Sequence, residues 1–208
     1  MNQDTPAKPQ SSKAAIWDVD GVIADTKELH FKAWQRLMRE VGETLSHDRF
    51  LSTFGRKNAD ILHELLPNLP RDQTEALADR KEVYFRQEAR AALKALPGVR
   101  QLLSELHRAG YDQAVGSSAP PENVELILNT LSLSKFFSVV VTARDIEQGK
   151  PDPQVFLVAA QRLGVPPARS VVFEDSVPGV QAAKAAGMAA VAVTNTMRRE
   201  ELWEADII

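Results

Sequence analysis

Asp18 and Asp20 stand two residues apart in Asp18-Val19-Asp20-Gly21, directly behind the apolar run Ala14 to Trp17. Alternation along an extended chain puts both carboxylates on one side of it. Beside a metal ion, one carboxylate can attack phosphorus while the second protonates the leaving oxygen and later deprotonates the acceptor. Gly21 lets the backbone turn sharply away after the pair. A lone DxDG is most often a surface turn. Three later segments change its weight: Gly116-Ser117-Ser118, then Gly149-Lys150-Pro151-Asp152-Pro153, then Phe173-Glu174-Asp175-Ser176 followed by Gly179. Taken singly, Lys150 would be a solvated lysine, Ser117 a loop or cap residue, and Glu174-Asp175 the acidic start of a helix. Taken together and in this order, they match what phosphoryl transfer asks of a protein, which is mostly positioning and neutralisation of charge.

The elements that must position these residues are legible as apolar runs. Ala14 to Trp17, Ala114 to Val115, Val139 to Val141, Val171 to Phe173 and Ala189 to Val193 read as buried strands. Helical patterns lie over Val99 to Ala109, Pro121 to Leu131, Pro153 to Leu163 and Val177 to Ala186, with glycine stops at Gly110, Gly164 and Gly187. Such alternation predicts an α/β fold, a doubly wound parallel sheet. From about Lys27 to Leu96 strand-like alternation is missing, and Leu29, Ala33, Leu37 and Val41 recur four apart, so a helical insertion is expected between the first two strands. The predicted organisation is a disordered tail over 1–13, a core over 14–26 and 97–208, and a helical cap over 27–96.

Asp18 and Asp20, Ser117 and Ser118, and Glu174 and Asp175 all follow strands. Ligands of doubly wound sheets bind outside those carboxyl ends, where the strand order reverses. With the order 3-2-1-4-5, the four acids Asp18, Asp20, Glu174 and Asp175 would converge. Four carboxylates cannot share a spot ionised without a cation. An all-oxygen site with a phosphate nearby suits Mg²⁺.

Composition narrows the remaining classes. The chain has 208 residues, 25 Lys and Arg against 28 Asp and Glu, and a formal charge of -3, so no basic excess is available to neutralise a nucleic-acid backbone. Without cysteine, thiolate nucleophiles and Cys-ligated metals are excluded, and a reducing cytoplasm is the expected compartment. The segment Met1 to Lys13 is polar and lacks an apolar h-region, and no apolar run approaches the roughly 20 residues of a membrane span. Gly149-Lys150 is not a P-loop, because Arg144 and Pro151 occupy the positions where GxxxxGK[ST] needs Gly and Ser or Thr. His47, His63 and His107 read as ordinary partly exposed residues, and Arg198-Arg199 as a solvated pair. The chain ends at Ile208 in what looks like the start of a final strand, which raises the expectation of a shortened chain with a less covered sheet edge.

With its four motifs in order, the chain resembles the haloacid dehalogenase superfamily over nearly all of residues 14 to 195, the helical insertion matching that family's C1 cap. The resemblance implies that Asp18 is the nucleophile that becomes an aspartyl phosphate and Asp20 the general acid/base. Ser117 and Lys150 would hold the phosphoryl oxygens. Mg²⁺ would be bound by Asp18, the Asp20 carbonyl and Asp175, with Glu174 supporting the metal site. The second aspartate is similar to the phosphate-handling branches, which include β-phosphoglucomutase and small sugar-phosphate phosphatases. That subgroup's aspartate-threonine, histidine and tryptophan appear as Asp25-Thr26, His30 and Trp34, and Lys81 matches a cap lysine that reaches a distal phosphate. His30 and Trp34 could equally be packing on one helix face, and Lys81 a solvated charge.

Two departures bear on the reaction. In the mutases a Gly-x-x-Arg cap loop supplies an arginine; here Gly55-Arg56-Lys57-Asn58 puts Asn58 at that position, with Arg56 and Lys57 keeping positive charge close by. After the Ser117-Ser118 motif, Ala119-Pro120-Pro121-Glu122-Asn123 resembles the phosphatases rather than the lysine-containing mutase loop. Losing those contacts favours hydrolysis. The expected function is a Mg²⁺-dependent phosphohydrolase of a small phosphorylated sugar. The alternatives are a β-phosphoglucomutase-type phosphotransferase and a non-catalytic binding protein on the same scaffold. The expected partner is a small phosphorylated metabolite, with neither nucleic acid nor membrane; oligomeric state is open.

Overall fold

The computed structural model describes residues 13–53 and 56–208. Its sheet has five parallel strands in the order β3-β2-β1-β4-β5: β1 (Ala14–Trp17), β2 (Asp112–Gly116), β3 (Val139–Val141), β4 (Ser170–Glu174) and β5 (Ala189–Ala192). This is the order on which the expected convergence of the acids depends. β1 reads Ala-Ala-Ile-Trp without a polar position, is buried throughout, and pairs on both sides. Trp17 lies level with Val115 and Phe173. That register brings the chain just beyond Trp17, Val115 and Phe173 to one edge of the sheet, side by side.

β2 begins earlier than its apolar run because Gln113 is buried with its amide satisfied at both ends. Its Oε1 accepts from Trp17 Nε1 at 3.2 Å and its Nε2 donates to the Leu103 carbonyl at 2.9 Å. A paired amide sits in a core strand at little cost.

Alternation along β1 sends Trp17 into one apolar layer and Ile16 into the other. The Trp17 layer is covered by α5 (Val99–Arg108) and α6 (Pro121–Thr130), through Leu103 and Ile127. The Ile16 layer is covered by α7 (Gln154–Leu163) and α8 (Val177–Ala185), through Phe156, Ala160 and Val180.

Between β1 and α5 lie α1 (Lys27–Glu40), α2 (His47–Leu51), α3 (Asn58–Leu65) and α4 (Arg71–Ala92). α1 turns Leu29, Ala33, Trp34, Leu37 and Met38 inward, and α4 supplies Tyr84, Phe85 and Ala89. Val41 is the exception to the four-residue recurrence. The helix ends at Glu40, and Gly42 at φ +81° turns the chain, leaving Val41 38% exposed. Chain entering and leaving these helices runs together: Asp25 N donates to Lys94 O at 3.1 Å and Leu96 N to Ile23 O at 3.0 Å. No helix among the described residues is long and apolar enough to cross a membrane.

Phe156 is fully buried and packs so close to Gly116 that a Cβ there would meet its ring at 3.0 Å. Phe156→Ala is expected to cost about 3–5 kcal/mol in urea unfolding. A loss below about 1 kcal/mol would show that this layer re-closes around the cavity.

Candidate active site

At the carboxyl ends of β1, β2 and β4, facing α1, α3 and α4, lies a cleft of about 440 Å³. Asp18 extends β1 by one residue, its N donating to Phe173 O at 3.0 Å, and is buried. Gly21 takes φ +80°, and a Cβ there would fall 1.8 Å from Asp175 Oδ2, so the turn after Asp20 passes directly over the end of β4.

Lys150 reaches Asp18 Oδ1 and Glu174 Oε1, both at 2.5 Å. The other Glu174 oxygen, Oε2, accepts from Asp175 N (2.7 Å), Ser176 N (2.8 Å) and Ser176 Oγ (2.9 Å). Both oxygens of Glu174 are therefore occupied by protein donors, and it acts as a strut for Lys150 and the start of α8. Ser176 also caps α8, accepting from Gly179 N at 3.1 Å. Gly179 has no room for a side chain, since a Cβ would lie 1.9 Å from the Glu174 carboxyl.

Carboxylate oxygens of Asp18, Glu174 and Asp175 lie within 4.8 Å of one another. Asp175 Oδ2 is buried without a hydrogen-bond partner among the described residues. A buried, unpartnered carboxylate oxygen next to a second acid is the arrangement a hard, oxygen-seeking cation satisfies, so the residues present fit a divalent metal. The expected convergence of four acids is met by three. The Asp20 carboxylate turns instead to His30, whose Nε2 is 3.2 Å from Oδ1.

Burial pushes the Asp18 carboxyl from its ordinary 3.8 up to about 7; Lys150 opposes this, and Glu174 and Asp20 add to it. Burial, followed by the charges of Glu174 and Asp18, holds Asp175 well above the ordinary range. Lys150 goes the other way from what burial alone would do, because Asp18 and Glu174 raise its pKa and keep it an ammonium. For Asp20, burial is outweighed above all by the hydrogen bond from His30, and its pKa is lowered.

His30 is itself fixed from behind. Lys81 Nζ lies 2.8 Å from His30 Nδ1, and an ammonium only donates, so Nδ1 accepts and Nε2 carries the hydrogen directed at Asp20. The His30 ring stacks on Phe85 at 3.9 Å and 7°. Trp34 is buried in the apolar layer with Lys81 5.4 Å from its ring, so it combines packing with support of that lysine.

The remaining predicted residues divide. Ser117 is buried at the end of β2, its Oγ accepting from Ala119 N at 3.1 Å, which leaves its hydroxyl hydrogen to donate into the cleft. Ser118, Arg56 and Lys57 are exposed residues of the cleft lining, and Arg56 is paired with Glu64. Asn58 donates to Glu82 Oε1 at 2.6 Å. Gly55 lies outside the described residues. His47, His63 and His107 are exposed, as expected. Sequence reasoning missed Glu82 and Asn123, both buried and in the lining. A signal was present for Glu82: it sits at helical spacing with Ala78, Phe85 and Ala89, a charge on an inward face.

The parallel sheet, with its chemistry gathered where β1, β2 and β4 end, defines an α/β enzyme of the doubly wound class. The chain belongs to the haloacid dehalogenase-like hydrolase family, whose model matches residues 15–193. It is 35% identical over 179 residues to the phosphorylated carbohydrates phosphatase of Thermotoga maritima, covering 85% of this chain and 82% of that one. It is 32% identical over 189 residues to the β-phosphoglucomutase of Bacillus subtilis, covering 87% and 83%. The crystal structure of β-phosphoglucomutase from Clostridium difficile superposes with a TM-score of 0.85 at 27% identity, covering 94% of this chain and 89% of that one.

Two expectations follow from this geometry. Gly179→Ala must displace the Glu174 carboxyl, so its metal-induced thermal shift is expected to fall by more than half; an unchanged shift would show that Glu174 need not be held. Second, folded Asp18 keeps its proton up to about 7, whereas an unfolded aspartate releases it near 3.8. Between those values the metal-free folded state binds more protons, so this group's contribution lowers stability as pH rises through the window. A divalent cation competes with that proton, so Mg²⁺ is expected to raise Tm more at about pH 8 than at about pH 5. Equal shifts at the two pH values would count against it.

Proposed function

We propose that the protein is a Mg²⁺-dependent phosphohydrolase of small phosphorylated sugars, with Asp18, Asp20, Ser117 and Lys150 as its catalytic residues. The observation that carries this reading is the placing of two aspartates in opposite states: Asp18 against Lys150, and Asp20 against the His30-Lys81 pair. Mg²⁺ would be held by Asp18, Asp175 and the Asp20 carbonyl, with Glu174 as support, and would neutralise charge on the phosphoryl group.

Asp18 attacks phosphorus as the bond from phosphorus to the leaving oxygen breaks, and Asp20 gives that oxygen its proton. His30 lowers the pKa of Asp20, but the dianionic phosphate opposes that shift and lets Asp20 carry the proton when substrate is bound. Asp20 then takes a proton from water as its oxygen attacks phosphorus. The bond from phosphorus to Asp18 breaks, phosphate leaves, and both carboxyls return to their first state. Lys150 and the Ser117 hydroxyl hold phosphoryl oxygens through both steps. Residues 27–96 act as a cap that excludes bulk water, with His30, Trp34, Arg56, Asn58, Lys81 and Ser118 toward the leaving group and Lys57 over Gly149, next to Lys150. The names of relatives support a sugar-phosphate substrate, since one is a phosphatase of phosphorylated carbohydrates.

The likeness to β-phosphoglucomutase favours a second reading, in which a sugar hydroxyl replaces water as acceptor. Phosphate release across a panel of sugar monophosphates separates them: stoichiometric release supports hydrolysis, and activation by a bisphosphate without net release supports transfer. Asp18→Asn is expected to lose at least about a thousandfold in kcat/KM with its fold intact. Persisting activity would remove Asp18 from the role of nucleophile.

A further inference from the structure

The leaving-group side of the cleft holds a buried negative charge that the phosphoryl chemistry does not use. Glu82, on α4, has a side chain only 8% exposed. Its Oε1 accepts from Lys81 Nζ at 2.9 Å and Asn58 Nδ2 at 2.6 Å; its Oε2 accepts from Asn123 Nδ2 at 2.6 Å. Asn123 belongs to α6, on the sheet side of the cleft, and its Oδ1 accepts from Arg86 at 2.9 Å. A carboxylate only accepts, so both asparagines must turn their NH₂ groups toward Glu82. Asn58 is left with Oδ1, which receives no hydrogen bond from the described residues, in the lining of the cleft.

The cations of the cleft are unevenly distributed. Lys150 lies against Asp18, and the stem of Lys57 lies over the adjoining Gly149, where a Cβ would meet Lys57 Cε at 2.8 Å. Lys57 has no ion-pair partner among the described residues, and its stem lies against the loop that carries Lys150. Away from Asp18, Lys81 is balanced by Glu82 and Arg56 by Glu64. Glu82 remains ionised there: burial opposes its charge, but the charge of Lys81 and the hydrogen bonds from Lys81 and Asn58 outweigh burial and hold its carboxyl down at about 2. Its field reaches Asp20, whose proton affinity it raises.

We propose that Glu82, clamped between Asn58 and Asn123, is a specificity residue that makes the leaving-group side of the cleft accept neutral, hydroxyl-bearing groups and reject a second phosphate. Asn58 Oδ1 supplies the acceptor for a hydroxyl, and the Glu82 carboxylate opposes another anion. The substrate class is then a polyhydroxylated monophosphate. This rests on the reading of Asp18 and Lys150 as the phosphoryl end.

Calorimetric titration of Asp18→Asn protein with Mg²⁺, using glucose 6-phosphate and glucose 1,6-bisphosphate as probes, tests the inference without turnover. Failure of the phosphohydrolase reading would appear separately, in the phosphate-release panel. The bisphosphate is expected to bind no more tightly than the monophosphate. Adding Glu82→Gln should tighten the bisphosphate by at least about tenfold while moving the monophosphate less than about threefold, as removal of one nearby like charge requires. Should Glu82→Gln not fold, Asn58→Lys sets a cation against the same carboxylate and should tighten the bisphosphate similarly. A bisphosphate preferred tenfold in the parent, an equal change for both ligands in the variant, or binding of neither probe would overturn the assignment.

Discussion

Holding several negative charges together out of water is the constraint on which the rest of the structure depends. Asp18, Glu174 and Asp175 are each buried within a few ångströms of one another, and mutual repulsion and desolvation both act against their ionised forms. Lys150 answers part of this by bridging two of them. Glu174 has its other oxygen fully engaged by the backbone and hydroxyl at the start of α8. The Asp175 oxygen without a hydrogen bond is the part no group among the described residues answers, and the chemistry of a divalent ion fits it.

Much of the local backbone follows from that arrangement. Gly21 and Gly179 are glycines because the carboxyls of Asp175 and Glu174 occupy the space a side chain would need. The parallel register of β1 with β4 sets Trp17 beside Phe173, and the acids that follow each strand inherit their proximity from that pairing. Phe156 lies beneath the same region, its ring 4.9 Å from the Lys150 ammonium, so apolar packing and charge placement meet at one side chain.

A second buried charge system lies across the cleft and is built differently. Asp20, His30, Lys81, Glu82, Asn58 and Asn123 form a continuous chain in which every donor direction is dictated by its neighbour. It joins α1, α3 and α4 to α6, so the helices between β1 and α5 are tied to the sheet-covering layer by polar contacts as well as apolar ones. One end bears on Asp20, and the other decides what charge a leaving group meets.

The sequence alone determined the doubly wound parallel sheet, the helical insertion and the grouping of Asp18, Ser117, Lys150, Glu174 and Asp175. Apolar runs of two to five residues and motifs placed at their ends are local signals, and a parallel sheet leaves few ways to arrange them. Gln113 within β2, the end of α1 before Val41 and the roles of Glu82 and Asn123 were decided by tertiary structure. Each depends on a partner far away in sequence or on the direction a side chain takes. A buried Gln is acceptable only when Trp17 and Leu103 meet its amide, and a charge on the inner face of α4 becomes sensible only when two asparagines from α3 and α6 converge on it. The same holds for Asp20: spacing put it beside Asp18, but only folding of α1 against α4 brought His30 and Lys81 to its carboxylate and set the two aspartates in opposite electrostatic states.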